Sequence, residues 1–133
     1  MHLDRRFLVW GLGYAALGLA LGVYMAASHN HGELVTHTHI LLVGLVLSSL
    51  YGIIHRLWLR NPKPWLANLQ FWLHQLGTLG ISIGLFLLYG QFAQEAKLEP
   101  VLGVSSVGVL IGALLMLYMV VKFGAPNEAA ARP

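Results

Sequence analysis

The sequence predicts an all-α integral membrane protein, a four-helix bundle with both termini in the cytoplasm. Hydrophobic residues make up 57% of the 133 residues, charged residues make up only 10%, and the mean hydropathy is +0.69. Soluble domains carry about 25% charged residues, so the composition argues against a soluble fold. Four apolar stretches fill most of the chain, and each is long enough to cross about 30 Å of hydrocarbon as a helix.

The four spans follow one another with short connections. They are predicted at residues 7–27, 36–59, 67–90 and 100–123, within a single domain over residues 1–126. Because lipid offers the backbone no hydrogen-bonding partner, each span is expected to satisfy its own N–H and C=O groups as a helix. The small, polar residues 127–133 are expected to form a disordered tail.

The positive charges predict the orientation of the bundle. With four spans, seven of the eight Lys and Arg residues lie on the side of the termini, and only Lys97 lies on the other. Cytoplasmic loops of membrane proteins carry such an excess of positive charge. We therefore expect the 60–64 loop to face the cytoplasm and the 29–35 and 91–99 segments to face outward.

Histidines are the unusual component of this chain. There are seven of them and no cysteine, which excludes thiolate metal sites, iron–sulfur clusters and thioether-attached haem. Four histidines fall between positions 29 and 39, and two more, His55 and His74, lie within spans two and three. An ionisable side chain inside a membrane span is costly, so it is treated as a functional candidate.

Helical geometry places these histidines on particular faces. His37 and His55 are 18 residues apart, about five turns of an α-helix, and so share a face. That face of span two is rich in small and polar residues and is expected to point into the bundle: His37, Leu41, Gly44, Ser48, Tyr51 and His55. Span three has a matching stripe: Gln70, His74, Gly77, Ile81 and Gly84.

The short loop between spans two and three makes them antiparallel neighbours, with His55 and His74 both toward the cytoplasm. One interpretation is a haem held between these two imidazoles. If the outer histidines hold a second haem, Ser48 and Tyr51 lie between the two levels and would tune or bridge them. The alternatives are that His55 is an interfacial residue and that His74 is hydrogen-bonded to Ser48, to Tyr51 or to a carbonyl.

The outward segment allows a second interpretation. His29, His31, Glu33, His37 and His39 form a dense group of imidazoles with one carboxylate. Imidazole suits copper and zinc, so this group predicts an outer-face metal site, as in a metal-handling protein or an oxidase assembly factor. The alternative is that the loop residues His29 and His31 are merely solvated.

The stretch from Thr36 to Gly44 resembles the start of the second helix of haem-copper oxidase subunit I, including nitric oxide reductases. Small four-span proteins related to that subunit carry a closer His-x-His-x-x-Leu-x-Gly pattern. They also have a continuation like Tyr51–Trp58 and a Leu-His-x-x-Gly segment like Leu73–Gly77. The resemblance covers somewhat under half of the chain. It implies that His37 is an axial ligand of b-type haem, with His39 as a neighbour able to take its role.

This chain departs from the subunit in size and in its metal ligands. The full subunit has about a dozen spans, and the copper-site histidines and the helix with the other haem histidines have no counterpart here. A complete haem-copper active site is therefore not expected in this chain, and whether it is an oxidoreductase component is left open.

The expected function is a small cytochrome of a bacterial cytoplasmic membrane, with one or two haem b groups per chain. It would serve in electron transfer or in gas or redox sensing. Expected partners are the lipid bilayer, a second copy or a larger respiratory complex, and a quinol or another electron carrier, but no nucleic acid. A structural accessory subunit, in which the histidines are satisfied interior polar groups, is the remaining alternative.

Overall fold

The computed structural model describes residues 1–124 of the chain; residues 125–133, which include the predicted tail, lie outside the described part. The described residues are almost entirely helical. Four helices are long and apolar enough to cross a membrane: α1 (Leu3–Ser28), α2 (Leu34–Leu57), α3 (Pro64–Tyr89) and α4 (Glu95–Phe123). The prediction of four membrane-spanning helices is therefore confirmed by length and composition.

Helix α1 extends beyond its predicted span at both ends, α3 and α4 begin before theirs, and α2 is shifted toward the N-terminus. The apolar stretch marks the part of a helix that fits the hydrocarbon, whereas backbone hydrogen bonding continues into polar residues at the ends. Helix α3, for example, begins at Pro64, three residues before the predicted span. Proline suits the first helical position because its missing N–H would have no partner there.

The bundle consists of two helical hairpins. Helix α1 packs along α2, α3 packs along α4, and the hairpins meet mainly through α1, α2 and α3. The core between them is made of aromatic and sulfur-containing side chains, including Phe7, Tyr51, Phe71, Met116 and Met119.

Two hydrogen bonds fix which segments share an end of the bundle. The Arg60 N–H donates to the Phe123 carbonyl at 3.0 Å, and Arg6 donates to Asn68 Oδ1 at 3.2 Å. The start of α1, the α2–α3 connection and the end of α4 therefore lie together, at what we call the basic end. The α1–α2 and α3–α4 connections lie at the opposite end, which we call the far end.

Helix α2 changes its winding directly after the histidines. Residues Ile40–Leu47 form a π-helical segment, between an α-helical first turn and an α-helical second half. π-Helical segments are rare and often occur at functional sites. The predicted inward stripe lies on the inner face within and after this segment, since Gly44, Ser48 and Tyr51 are buried, whereas His37 before it is half-buried.

Candidate functional site

His74 lies in the middle of α3 with its side chain completely enclosed, at 0% exposure. Its Nε2 shares a hydrogen bond with Ser48 Oγ of α2 at 3.0 Å. The same hydroxyl accepts a hydrogen bond from Gln75 Nε2 at 3.2 Å. Of the roles expected for His74, hydrogen bonding to Ser48 is therefore confirmed, and this contact ties the two hairpins together.

Aromatic rings fill the space around the two inner histidines. The Phe7 ring is stacked on His55 with a centroid separation of 5.4 Å and lies 6.4 Å from His74. Tyr51 packs edge-on against His74 at 4.9 Å. Phe7 is itself fully buried, so a haem coordinated by both imidazoles would have to displace this ring. The inner pair therefore fits haem poorly in this packing.

Further polar side chains extend the His74 group along the inner face of α3. Gln70, Gln75, Thr78 and Ser82 are all buried, and the Gln75 carbonyl accepts a hydrogen bond from the Tyr14 hydroxyl at 3.2 Å. Sequence reasoning missed all of these except Gln70. The signal that could have found them is the recurrence of polar side chains on one face of an otherwise apolar span.

His37 lies in the first turn of α2, against α1. Its Nδ1 is 2.8 Å from the carbonyl oxygen of Gly18. A carbonyl can only accept, so Nδ1 carries the proton and Nε2 of the neutral ring carries the lone pair. Gly22 makes room for the imidazole, because a Cβ built there would lie 2.9 Å from His37 Cε1.

The His39 ring is also held through its Nδ1–H, but by a different backbone carbonyl. Its Nδ1 donates to the carbonyl of Val35 at 2.9 Å, one turn earlier in α2. Neither His37 nor His39 makes a hydrogen bond through Nε2 to the described part of the chain, and both rings are half-buried. The two residues are about 200° apart around the helix, so they point away from one another.

The remaining members of the predicted outer group do not converge. His29 and His31 are exposed in the α1–α2 connection, whereas Glu33 is buried and accepts a hydrogen bond from the Thr36 hydroxyl. Within residues 1–124, no three His, Asp or Glu side chains are close enough together to hold a metal ion. The structure therefore does not assemble the outer group into one site.

No family model, curated protein or solved structure matches this chain. Ser48, which binds His74, is eleven residues after His37, or about 16 Å along the helix axis. The chain thus holds two separate histidine groups, one enclosed near mid-bundle and one half-open toward the far end.

Proposed function

We propose that this chain is a small b-type cytochrome of a bacterial cytoplasmic membrane, with His37 as an axial ligand of its haem. The observation that carries the proposal is the state of the His37 ring. Its Nδ1–H is held by the Gly18 carbonyl at 2.8 Å, and its Nε2 is left available. Metal-bound histidines almost always donate their other ring N–H in this way, which fixes the tautomer and the orientation of the ring.

The surroundings of His37 suit an axial ligand better than those of His74. The ring is half-buried, packs against Gly22 at the α1–α2 contact and is held through Nδ1 alone. His74, in contrast, already uses Nε2 in the bond to Ser48 and is enclosed by aromatic rings. Haem at His37 would not have to displace the Phe7 ring, which packs on His55 and lies near His74.

The second axial ligand comes from a second copy of the chain in this proposal. His39 faces away from His37, α4 contains no histidine, and His29 and His31 are exposed in a connection. In a two-fold dimer, if residue i of the first copy contacts residue j of the second, then residue j of the first copy also contacts residue i of the second. Pairing His37 of one copy with His39 of the other would therefore hold two haems per dimer, or about one per chain.

Bound haem supplies a one-electron redox centre whose potential depends on its axial ligands and on burial. The Gly18 carbonyl would orient the His37 imidazole, and the apolar faces of α1 and α2 would surround that imidazole. The electron donor proposed here is a membrane quinol or another small carrier. With the basic end in the cytoplasm, as the charge distribution indicates, the haem would lie toward the outer face.

Haem and metal content of the purified protein test this function. The chain is produced with ample haem precursor, and a pyridine haemochrome assay is run beside elemental analysis for iron, copper and zinc. The proposal predicts about one haem per chain and no stoichiometric copper or zinc. Colourless protein with stoichiometric copper or zinc would overturn it in favour of an outer metal site. Protein with neither would indicate a structural subunit.

A further inference from the structure

Glu33 is a buried carboxylate at the far end with one unused oxygen. The side chain is only 7% exposed. Its Oε2 accepts the Thr36 hydroxyl, whereas Oε1 is buried and has no hydrogen-bond partner among residues 1–124. No ion pair involves Glu33 in that part of the chain; the pair present is Arg56–Asp4. A buried carboxylate oxygen is costly unless a donor or a cation meets it.

Glu33 lines a cavity of about 430 Å³ between the ends of α1 and α3 and the two far-end connections. Part of its wall is aromatic: Tyr24, Phe86, Tyr89 and Phe92 all line it. The Phe86 and Phe92 rings are stacked with their centroids 5.6 Å apart. Aromatic rings attract cations, so a carboxylate lining a partly aromatic cavity favours an ammonium group.

The same cavity has neutral donors beside the carboxylate. Asn30 and Gln91 both line it, and neither is charged. Asn30 Oδ1 accepts the Gly32 N–H at 3.0 Å, which leaves the Asn30 amide N–H groups to donate elsewhere. Since an amide N–H binds phosphate oxygens readily, a phosphate next to the ammonium group also has partners here.

An apolar groove continues from this cavity along the bundle. A second cavity of about 260 Å³ shares Leu21 and Phe86 with the first and is lined further by Leu17, Ile40, Leu79 and Ile83. A third, of about 410 Å³, shares Tyr14, Leu17 and Leu79 with the second. The three together run from the far end along α1 and α3, with the polar part at the surface and the apolar part at hydrocarbon depth.

We infer that the far end binds an aminophospholipid, with its primary ammonium on Glu33 Oε1 and an acyl chain in the groove between α1 and α3. A primary ammonium donates the hydrogen bond that Oε1 lacks, which a trimethylated ammonium cannot do. The charge of the ammonium group therefore complements Glu33, and the apolar lining of the groove suits an acyl chain. The site uses no histidine side chain and requires no haem, although the Glu33 carbonyl accepts the His37 N–H at 2.9 Å.

Lipid retention measured by native mass spectrometry tests this site. The full chain in a mild detergent is titrated with dioleoyl phosphatidylethanolamine or dioleoyl phosphatidylcholine, which differ only in methylation of the ammonium. We expect phosphatidylethanolamine to be retained about tenfold more strongly, as for a charge-assisted contact. Equal retention of the two lipids would overturn the inference.

Variants at two ends of the site make the test specific. Glu33→Gln keeps the shape of the side chain and should bring the two lipids to within about twofold of one another. The matched control is Glu95→Gln, which removes an exposed carboxylate at the same end and should leave the preference unchanged. Leu17→Trp should weaken the retention of both lipids equally, because the larger side chain fills the groove.

Two further measurements distinguish the remaining outcomes of this test. Thermal unfolding of Glu33→Gln shows whether the variant is folded, and a folded variant that keeps the lipid preference would contradict the inference. Dodecylamine, which has the ammonium and a tail but no phosphate, is titrated in parallel; retention of dodecylamine without phosphatidylethanolamine would overturn the lipid assignment. Haem absorbance of the same samples reports on the proposed cytochrome function independently.

Discussion

The two histidine groups use the same side chain in opposite ways. His74 is enclosed, and its Nε2 is occupied by Ser48, whose hydroxyl also binds Gln75. His37 is half-buried, its Nδ1 is held by a backbone carbonyl, and its Nε2 is available. The neighbours of an imidazole, more than its depth in the membrane, therefore decide whether it fastens helices together or can accept a ligand.

The side chains that neighbour His74 and His37 also differ in size. Around His74 the neighbours are large rings, those of Phe7 and Tyr51, which close the packing. Around His37 the neighbouring helix contributes glycines, and the imidazole itself occupies the space beside Gly22. Large rings therefore enclose His74, whereas the absence of a side chain at Gly22 lets the His37 ring lie against α1 and keep its bond to Gly18.

Replacing His37 should have the largest effect. In His37→Ala the proposed axial ligand is absent, so we expect haem content to fall to less than about a tenth of that of the unmodified protein, as removal of a metal ligand does. The pyridine haemochrome assay measures it. His31→Ala, which removes an exposed histidine at the same end, should retain haem. Loss of haem in His31→Ala instead would identify His31 as the second ligand and remove the reason for a dimer.

Replacing His74 should affect stability and not haem. His74→Ala leaves a cavity beside Tyr51 and removes the bond to Ser48, so the free energy of unfolding should fall by about 2–4 kcal/mol. Thermal unfolding in detergent measures this loss. Leu76→Ala, on the exposed face of the same helix, is the control and should change stability far less. If His74→Ala is as stable as the control, His74 does not fasten the two hairpins.

A methyl group at Gly22 should disturb His37 without removing it. The new Cβ in Gly22→Ala would lie 2.9 Å from His37 Cε1, so the ring must shift and its bond to Gly18 must lengthen. We expect haem affinity to fall about tenfold. Gly13→Ala is the matched control, because a Cβ there meets no atom within 4 Å. Equal haem affinity in the two variants would show that Gly22 does not affect haem binding by His37.

The smallest effect is expected at Tyr14. Tyr14→Phe removes the hydrogen bond to the Gln75 carbonyl, which is 3.2 Å long, and keeps the ring. Interhelical hydrogen bonds in membrane proteins average about 0.6 kcal/mol, so the unfolding free energy should fall by about that amount. Haem content should not change. A loss comparable to that of His74→Ala would mean that the polar face of α3 acts as one cooperative unit.

The sequence was sufficient for the helices and for their inner faces. Long apolar runs determine the spans, and the stripe from Gln70 to Gly84 is buried at each position named for it. The bond between His74 and Ser48 was among the expected roles, because the short loop after α2 makes the two helices neighbours. Periodicity and loop length carry this information without any knowledge of tertiary contacts.

The features that could not be predicted from the sequence depend on contacts between residues far apart in the chain. The π-helical segment after His39 has no signature in an apolar run, and nothing in the sequence pairs Phe7 with His55 or Gly18 with His37. The separation of Glu33 from the outer histidines likewise follows from how the connections fold. Clustering in sequence therefore predicted a shared metal site that the described residues do not assemble.

The reduced absorption spectrum of the purified protein, recorded with and without carbon monoxide, tests the central claim most directly. Haem held by His37 and by a second imidazole is six-coordinate, so the account predicts a sharp α-band that carbon monoxide leaves unchanged. In His37→Ala any residual haem should instead bind carbon monoxide. A visible spectrum without a Soret band, after production with ample haem, would contradict the assignment of this chain as a cytochrome.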